Sequence, residues 1–429
     1  MNTKGNEKYM NFSANTINRE TCQVLNGKII NVPSILIAKR GAAIFSDRKR
    51  ITVSPFVVDS NMMVLTPNSL MDIEFFYYLT NTIKFGRYVN VGALPAYNLL
   101  DISSVKCCIT NLKEQRKIAN FLALVDKKIV YYYNNLNQFN NFKKYLLQNL
   151  FPKSGELAPK LRFKKDNGNE YSKWEEYTIK ELFDVITDYV AAGSFATIKS
   201  NVKYLSEPNF AELIRTADLK SKFKNHDFVF VDEHSFNFLW RVNLNEECIV
   251  LPNIGNIGEV YFINPNNLPY KNNVLGPNSI LLKSKNNIIF KYYLLSSPLF
   301  KHYLNVINES TGRGKFNKTN LKKIKTHVPL DKEEQTKISK ILLFIDKKID
   351  LIQDQIEKTE EFKKGLLQQM FEFLLFAFLF LIFCKYLCDS NPIVYLCAIF
   401  RFIFNLIINL KFQLILVFPI GLKIYIKIK

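Results

Sequence analysis

Much of what catalysis or metal binding requires is missing from this 429-residue sequence. Its four histidines, at 226, 234, 302 and 327, form no HExxH-type pair, and His226 and His234 read as ordinary surface or strand residues. Its seven cysteines (22, 107, 108, 248, 384, 388 and 397) contain no CxxC pair, so neither a zinc knuckle nor a disulfide framework is expected. Such cysteine usage fits a reduced cytoplasmic protein. The opening "MNTKGNEKYMNF" is polar, unlike a signal peptide. No GxxxxGK[ST] loop is present, which excludes a P-loop NTPase. A single "GNIGEV" (255–260) is too little for a dinucleotide site, and reads as a hairpin turn with glycine at positive φ. "NPNNLPY" (264–270) lacks the adjacent prolines of an amino-methyltransferase loop, and no glycine-rich methyl-donor motif precedes it. No catalytic residue, metal or cofactor is therefore expected. The longest uncharged apolar run, Phe373–Cys384, has 12 residues, short of the roughly 20 of a spanning helix.

Glycine and proline are also absent from 114–141 and 332–364, and those two stretches are copies of each other. "EQRKIANFLALVDKKI" (114–129) is echoed by "EQTKISKILLFIDKKI" (334–349), and "FKKYLLQNLF" (142–151) by "FKKGLLQQMF" (362–371). Without a gap, 114–151 and 334–371 share 16 identities in 38 positions, which marks an internal duplication. Ile338, Leu342, Ile345, Ile349, Ile352 and Ile356 are spaced four and three apart. Ile118, Leu122, Val125, Ile129, Tyr132, Leu136 and Phe139 repeat that register in the first copy. A period of 3.5 residues places each set on one seam of a long helix, about 45–50 Å at the usual rise. "TNLKEQ" and "LDKEEQ" supply start signals. The simplest partner for one seam is the other, so helices at 113–147 and 332–368 are expected to pack antiparallel.

A strand-rich region precedes each helix. The second contains "FVFV" (228–231), "CIVL" (248–251), "VYFI" (260–263) and "SILLK" (279–283), separated by turns, then a helical stretch at 288–304 and the loop "TGRGKFNK" (311–318). The first repeats that order: "SILIAKRGAAIF" parallels "CIVLPNIGNIGEVYF", "IEFFYYLTN" parallels "IIFKYYLLSS", and "GALPAYNLLDIS" parallels "GRGKFNKTNLKKI". Fewer residues precede the first copy's strands, so 1–111 reads as a first domain truncated on its N-terminal side. The spacer helices occupy 112–150 and 331–370, a polar linker 151–171 and the second domain 172–330. Residues 371–429 form a hydrophobic tail, read as a frameshift-like product or a weak membrane segment.

A formal charge of +20 points to a polyanion, nucleic acid first and an anionic membrane second. The candidate DNA contacts lie in basic, turn-rich stretches: Lys39, Arg40 and Arg48 in the first region; Lys199, Lys203, Arg215 and Lys220 in the second; and Arg313, Lys315, Asn317 and Lys318 on the "TGRGKFNK" loop. Arginine and lysine pair with phosphates or guanine edges, and asparagine reads adenine. Phe195, Phe223 and Trp240 read as core residues.

The duplicated helices, the "PKLRF…W" between them (159–174), and "VITDYVAAGSFATIKSNVKYL…IRTADLK" (185–220) resemble the specificity subunit of a type I restriction–modification system over roughly 30–370. The resemblance implies an α+β fold: two mixed α/β target recognition domains separated by two long helices in an antiparallel coiled coil. Each domain would read half of a split double-stranded DNA target. The helices would act as a ruler and dock two methyltransferase (modification) subunits, which motor-nuclease (restriction) subunits then join. All catalysis would belong to those partners. The short first domain and the tail depart from the family, whose chains usually end near Met370–Phe371. The rival class is a membrane-anchored coiled-coil interaction protein that uses the tail.

Overall fold

In a computed structural model, residues 5–13, 15–89, 94–103, 105, 107, 109–224, 227–255, 257–308 and 314–387 are described, with side chains as far as Phe371. The chain divides into two compact units. Unit 1 comprises Met1–Tyr131 with Ile356–Lys429, and unit 2 comprises Tyr132–Gln355. Each unit therefore takes one segment from each of two long helices, Leu112–Asn149 and Lys332–Leu387. The second runs past the expected end near 368, and residues beyond 387 lie outside the described part. No helix among the described residues is long and apolar enough to cross a membrane.

The seam read from the sequence is the buried face. Ile338, Leu342, Ile345, Ile349, Ile352 and Ile356 are all 8% exposed or less. Leu122 and Val125 are buried in the first helix, while Ile118, Ile129, Tyr132, Leu136 and Phe139 are half-buried. Two ion pairs set the direction: Asp126 with Lys363, and Lys143 with Asp346, both at 2.6 Å. As the number rises on one helix its partner's falls, so the helices run antiparallel.

The two pairs are images of one another under the 220-residue repeat, and each carries a tyrosine from its own unit. Tyr78 donates its hydroxyl to Asp126 at 2.6 Å, and Tyr293 donates to Asp346 at 2.8 Å. Both tyrosines are almost fully buried. Burial first, then the hydrogen bond or charge of the aspartate, holds both phenols well above their ordinary pKa. They thus remain donors at any physiological pH. The lysine of each pair also lies over the tyrosine ring, Lys363 at 6.0 Å and Lys143 at 5.9 Å. One aromatic contact is repeated too: Phe371 meets Phe75 at 5.3 Å, and Phe151 meets Phe290 at 5.8 Å.

In unit 1 the sheet order is Tyr9–Met10, Lys49–Thr52, Ile35–Ala38, Met62–Leu65, antiparallel except for the first pairing. Ile35, Ile37, Ile51 and Met63 pack beneath Phe85 and Tyr97. The helix Ile73–Thr82, capped by Asp72, carries Phe75, Tyr78 and Leu79 onto Ala119, Leu122 and Val125.

Unit 2 has an antiparallel sheet ordered Tyr261–Ile263, Cys248–Pro252, Ser279–Lys283, Val185–Asp188. Strands Cys248–Pro252 and Ser279–Lys283 are buried throughout, because alternate residues face two cores. Val250 and Leu281 enter one, with Leu213, Val231 and Val274; Ile249, Leu251, Ile280 and Leu282 enter the other, with Phe300 and Phe316. A second sheet joins Asn273–Leu275, Ala211–Ile214 and Phe230–Val231, and Lys325–Pro329 pairs with Trp174–Thr178. Of the run "FVFV" only Phe230–Val231 is strand. The helical stretch at 288–304 is two helices, Ile288–Ser296 and Pro298–Val306, because Pro298 has no N–H to continue the first and Ser297 caps the second.

The polar linker 151–171 is pinned to the second long helix. Arg162 grips the buried Glu334 through two bonds of 3.0 and 2.8 Å, and its guanidinium also reaches the Ser172 carbonyl. Lys337 bonds the Lys164 carbonyl and pairs with Asp166 at 2.6 Å. The two helix starts also differ. Asn111 caps the first by accepting from the Glu114 N–H, whereas the Asp331 carboxylate is taken by Ser172.

Candidate nucleic-acid interface

Each unit contains the same junction of two loops. In unit 2 the turn after Cys248–Pro252 meets the segment leading to the helix Lys318–Lys323. Gly255 N–H donates to the Gly314 carbonyl at 2.8 Å, Phe316 N–H donates to the Asn253 carbonyl at 3.1 Å, and Ile254 bridges Lys315. In unit 1 Gly41 N–H donates to the Pro95 carbonyl at 2.8 Å, Tyr97 N–H donates to the Lys39 carbonyl at 3.2 Å, and Arg40 bridges Ala96. Both leading glycines are left-handed, with φ of 74° at Gly41 and 92° at Gly255, a conformation that side chains resist. The aromatic that follows is buried in both, Tyr97 at 4% and Phe316 at 0% exposure, and anchors its loop in the core beneath. This is the hairpin read at "GNIGEV", now with a second loop fastened to it.

The junction displays cations, from different strands in the two units. In unit 1 Arg40 is exposed beside the half-buried Lys39, and Arg48 is exposed further along. In unit 2 Lys315 is exposed on the opposite loop, while Asn317 spends its side-chain oxygen capping the helix Lys318–Lys323. Lys318 is half-buried and paired with Asp188 at 3.0 Å. Arg313 lies outside the described residues.

The other candidates do not gather at this junction. Arg215 is committed to Asp218 through a two-pronged contact at 2.8 and 3.0 Å and also to the Asp227 carbonyl, so it fastens its own turn. The Asp218 contact, ahead of any other charge, raises its already high pKa. Lys220 is exposed, 3.4 Å from Glu259. Lys199 and Lys203 are exposed on and just after the helix Phe195–Asn201. Two aromatics expected in the core are on the surface: Phe195 is 82% and Trp240 61% exposed, whereas Phe223 packs against the core. Arg241, passed over in the sequence, lies over the Trp240 ring at 5.1 Å. Adjacent tryptophan and arginine at 240–241 were the available signal.

Residues 2–139 and 171–361 match the model of the type I restriction modification DNA specificity domain. The chain belongs to this family. The two matched stretches each hold one strand-rich region and most of one long helix, so the specificity-domain match is doubled as the sequence repeat is. Among curated relatives, the putative type I restriction enzyme MjaX specificity subunit of Methanocaldococcus jannaschii is 34% identical over 103 residues. That alignment covers 22% of this chain and 23% of the relative. The type I restriction–modification S subunit from M. genitalium is similar at 17% identity and TM-score 0.49, covering 80% of this chain and 84% of that one. The HsdS subunit from Thermoanaerobacter tengcongensis is similar at 15% identity and TM-score 0.42, covering 80% and 82%.

Proposed function

We propose that this chain is the DNA-recognition subunit of a type I restriction–modification assembly. In this reading each unit contacts one half of a split duplex target, and the paired helices set the spacing between the halves. Two methyltransferase subunits dock on the repeated helices, and motor-nuclease subunits join them. The chain performs no chemistry and needs no cofactor; methyl transfer, ATP hydrolysis and cleavage belong to the partners. The observation that carries the reading is repetition at the level of single contacts. The same Tyr–Asp–Lys tie and the same two-loop junction recur in both units, as a protein with two equivalent tasks requires.

The tasks are equivalent in plan and unequal in equipment. Strands 49–52, 35–38 and 62–65 of unit 1 correspond in order and direction to 261–263, 248–252 and 279–283 of unit 2. The sheet of Asn273–Leu275, Ala211–Ile214 and Phe230–Val231 has no counterpart among the described residues of unit 1. Unit 2 thus reads its half-site in more detail than unit 1. Methylome sequencing of cells that express this chain with its methyltransferase subunit tests the proposal. A bipartite motif of fixed spacing, one half sharply defined and the other loosely, is expected. Methylation at a continuous motif, or none that depends on this chain, would overturn it.

A further inference from the structure

The surface around Trp240 lies outside the loop junction. Val190 (64%), Phe195 (82%), Tyr204 (56%) and Trp240 (61%) are all exposed there. Short, mutually fastened elements hold them together. Arg241 donates to the Ala191 carbonyl at 2.7 Å, which ties the turn Trp240–Val242 to the turn Tyr189–Ala192. Ser194 then caps the helix that begins at Phe195, accepting from Thr197 N–H at 3.2 Å. The Tyr189 and Tyr204 hydroxyls meet at 2.9 Å, and Ser235 donates to the Asn201 carbonyl at 3.1 Å. The aromatics are therefore presented on anchored backbone rather than on a free loop.

Large apolar side chains held exposed on anchored backbone suit contact with a partner, and the neighbouring charges select that partner. Lys199 stands on the helix Phe195–Asn201, Lys203 just after it and Arg241 in the turn Trp240–Val242, and none forms an ion pair among the described residues. Arg241 instead stacks on the indole, spends one N–H on the Ala191 carbonyl and is otherwise exposed. Aromatic faces beside unpaired cations suit a ligand that is flat and apolar in one part and anionic in the next, as bases and phosphates are. We propose that this patch is a second DNA contact of unit 2. Trp240 and Phe195 pack against bases and deoxyribose in a groove, while Arg241, Lys199 and Lys203 neutralise the adjoining phosphates. The inference rests on the DNA-recognition reading and adds to it a place where apolar contact contributes to the choice of sequence.

Trp240 supplies its own probe. The chain has two tryptophans, and the other, Trp174, is only 5% exposed, so acrylamide reaches chiefly Trp240. The full chain, assembled with its partner subunits, is titrated with a duplex pool of randomised interior and then with the duplex selected from it. The Trp240→Phe variant provides the quenching baseline. DNA should shield Trp240 from acrylamide. Trp240→Ala should weaken binding to the selected duplex about tenfold, or about 1.4 kcal/mol, with circular dichroism unchanged. Arg241→Ala should flatten the salt dependence of binding. If the wild-type assembly binds DNA while Trp240 stays equally quenchable and Trp240→Ala binds as tightly, the patch faces something other than DNA and the proposal is overturned. An assembly that binds no DNA overturns the recognition reading as well.

Discussion

Glu212 lies on the strand Ala211–Ile214 with 0% exposure, and neither carboxylate oxygen has a hydrogen-bond partner. Burial, with a smaller contribution from Asp218, pushes its pKa from 4.5 up to about 7, against the opposing pull of Arg215. In the unfolded chain the carboxyl loses its proton near 4.5, whereas in the folded chain it keeps it to about 7. Between those values the folded state binds more protons, so raising the pH destabilises the protein through that window. A shift from 4.5 to about 7 corresponds to about 3 kcal/mol, absent below the lower value and fully expressed above the upper. Glu212→Gln keeps the shape and removes the titration. Its stability relative to wild type should therefore increase by about 3 kcal/mol between pH 4 and pH 8. Both tryptophans lie within 132–355, so their fluorescence in urea titrations follows unit 2 alone. Equal pH dependence of the unfolding midpoint in the two proteins would refute the argument and place the Glu212 proton elsewhere.

Four further outcomes are expected. Leu342→Ala, at a fully buried position of the helix seam, should cost about 3–5 kcal/mol of unfolding free energy; a loss below about 1 would show that the seam is not tightly packed. Tyr293→Phe removes the donor to Asp346 and should cost about 1.5–3 kcal/mol of unfolding free energy, with Tyr78→Phe giving a like cost in unit 1 when urea unfolding is followed by circular dichroism; a neutral Tyr293→Phe would mean that the hydroxyl does not tie helix to unit. Gly255→Ala forces a side chain to φ of 92° and should destabilise by about 1–2 kcal/mol; unchanged thermal melting would show that the loop junction relaxes freely. Lys315→Ala should lower the slope of log affinity against log salt by about one unit without changing which duplexes are selected; a relaxed base preference would make it a direct reader of sequence instead.

The long helices were legible because their signal is local and repeated. A seam spaced four and three apart points one way only if the backbone is helical, and the six positions from Ile338 to Ile356 are all buried as that spacing requires. The strands of the central sheet were legible for the same reason, as short apolar runs between turns. Where local pattern was ambiguous the reading missed. "IIFKYYLLSSPLFKHYL" is apolar enough to pass as one helix, and the break comes from a single proline. Arg215 and Lys318 carry the same charge in the sequence as Lys199 and Lys315, yet Asp218 lies three residues from the first and Asp188 130 residues from the second. Composition cannot distinguish an occupied cation from an unpaired one.

By itself the sequence determined what depends on neighbours along the chain: two copies of one helical seam, strand-rich regions before each, and an excess of basic residues. Tertiary structure decided what depends on partners distant in the chain. It matched Asp126 to Lys363 and Asp346 to Lys143, turned the polar segment 151–171 into a strap held by Glu334, and fastened the same two loops together in each unit. It also left Phe195 and Trp240 outside cores already filled by Val250, Leu281 and their neighbours. Hydrophobicity favours burying every aromatic, but a core has finite volume and is packed to density by the residues whose backbone directs them inward. Where those directions run out, large apolar side chains remain at the surface.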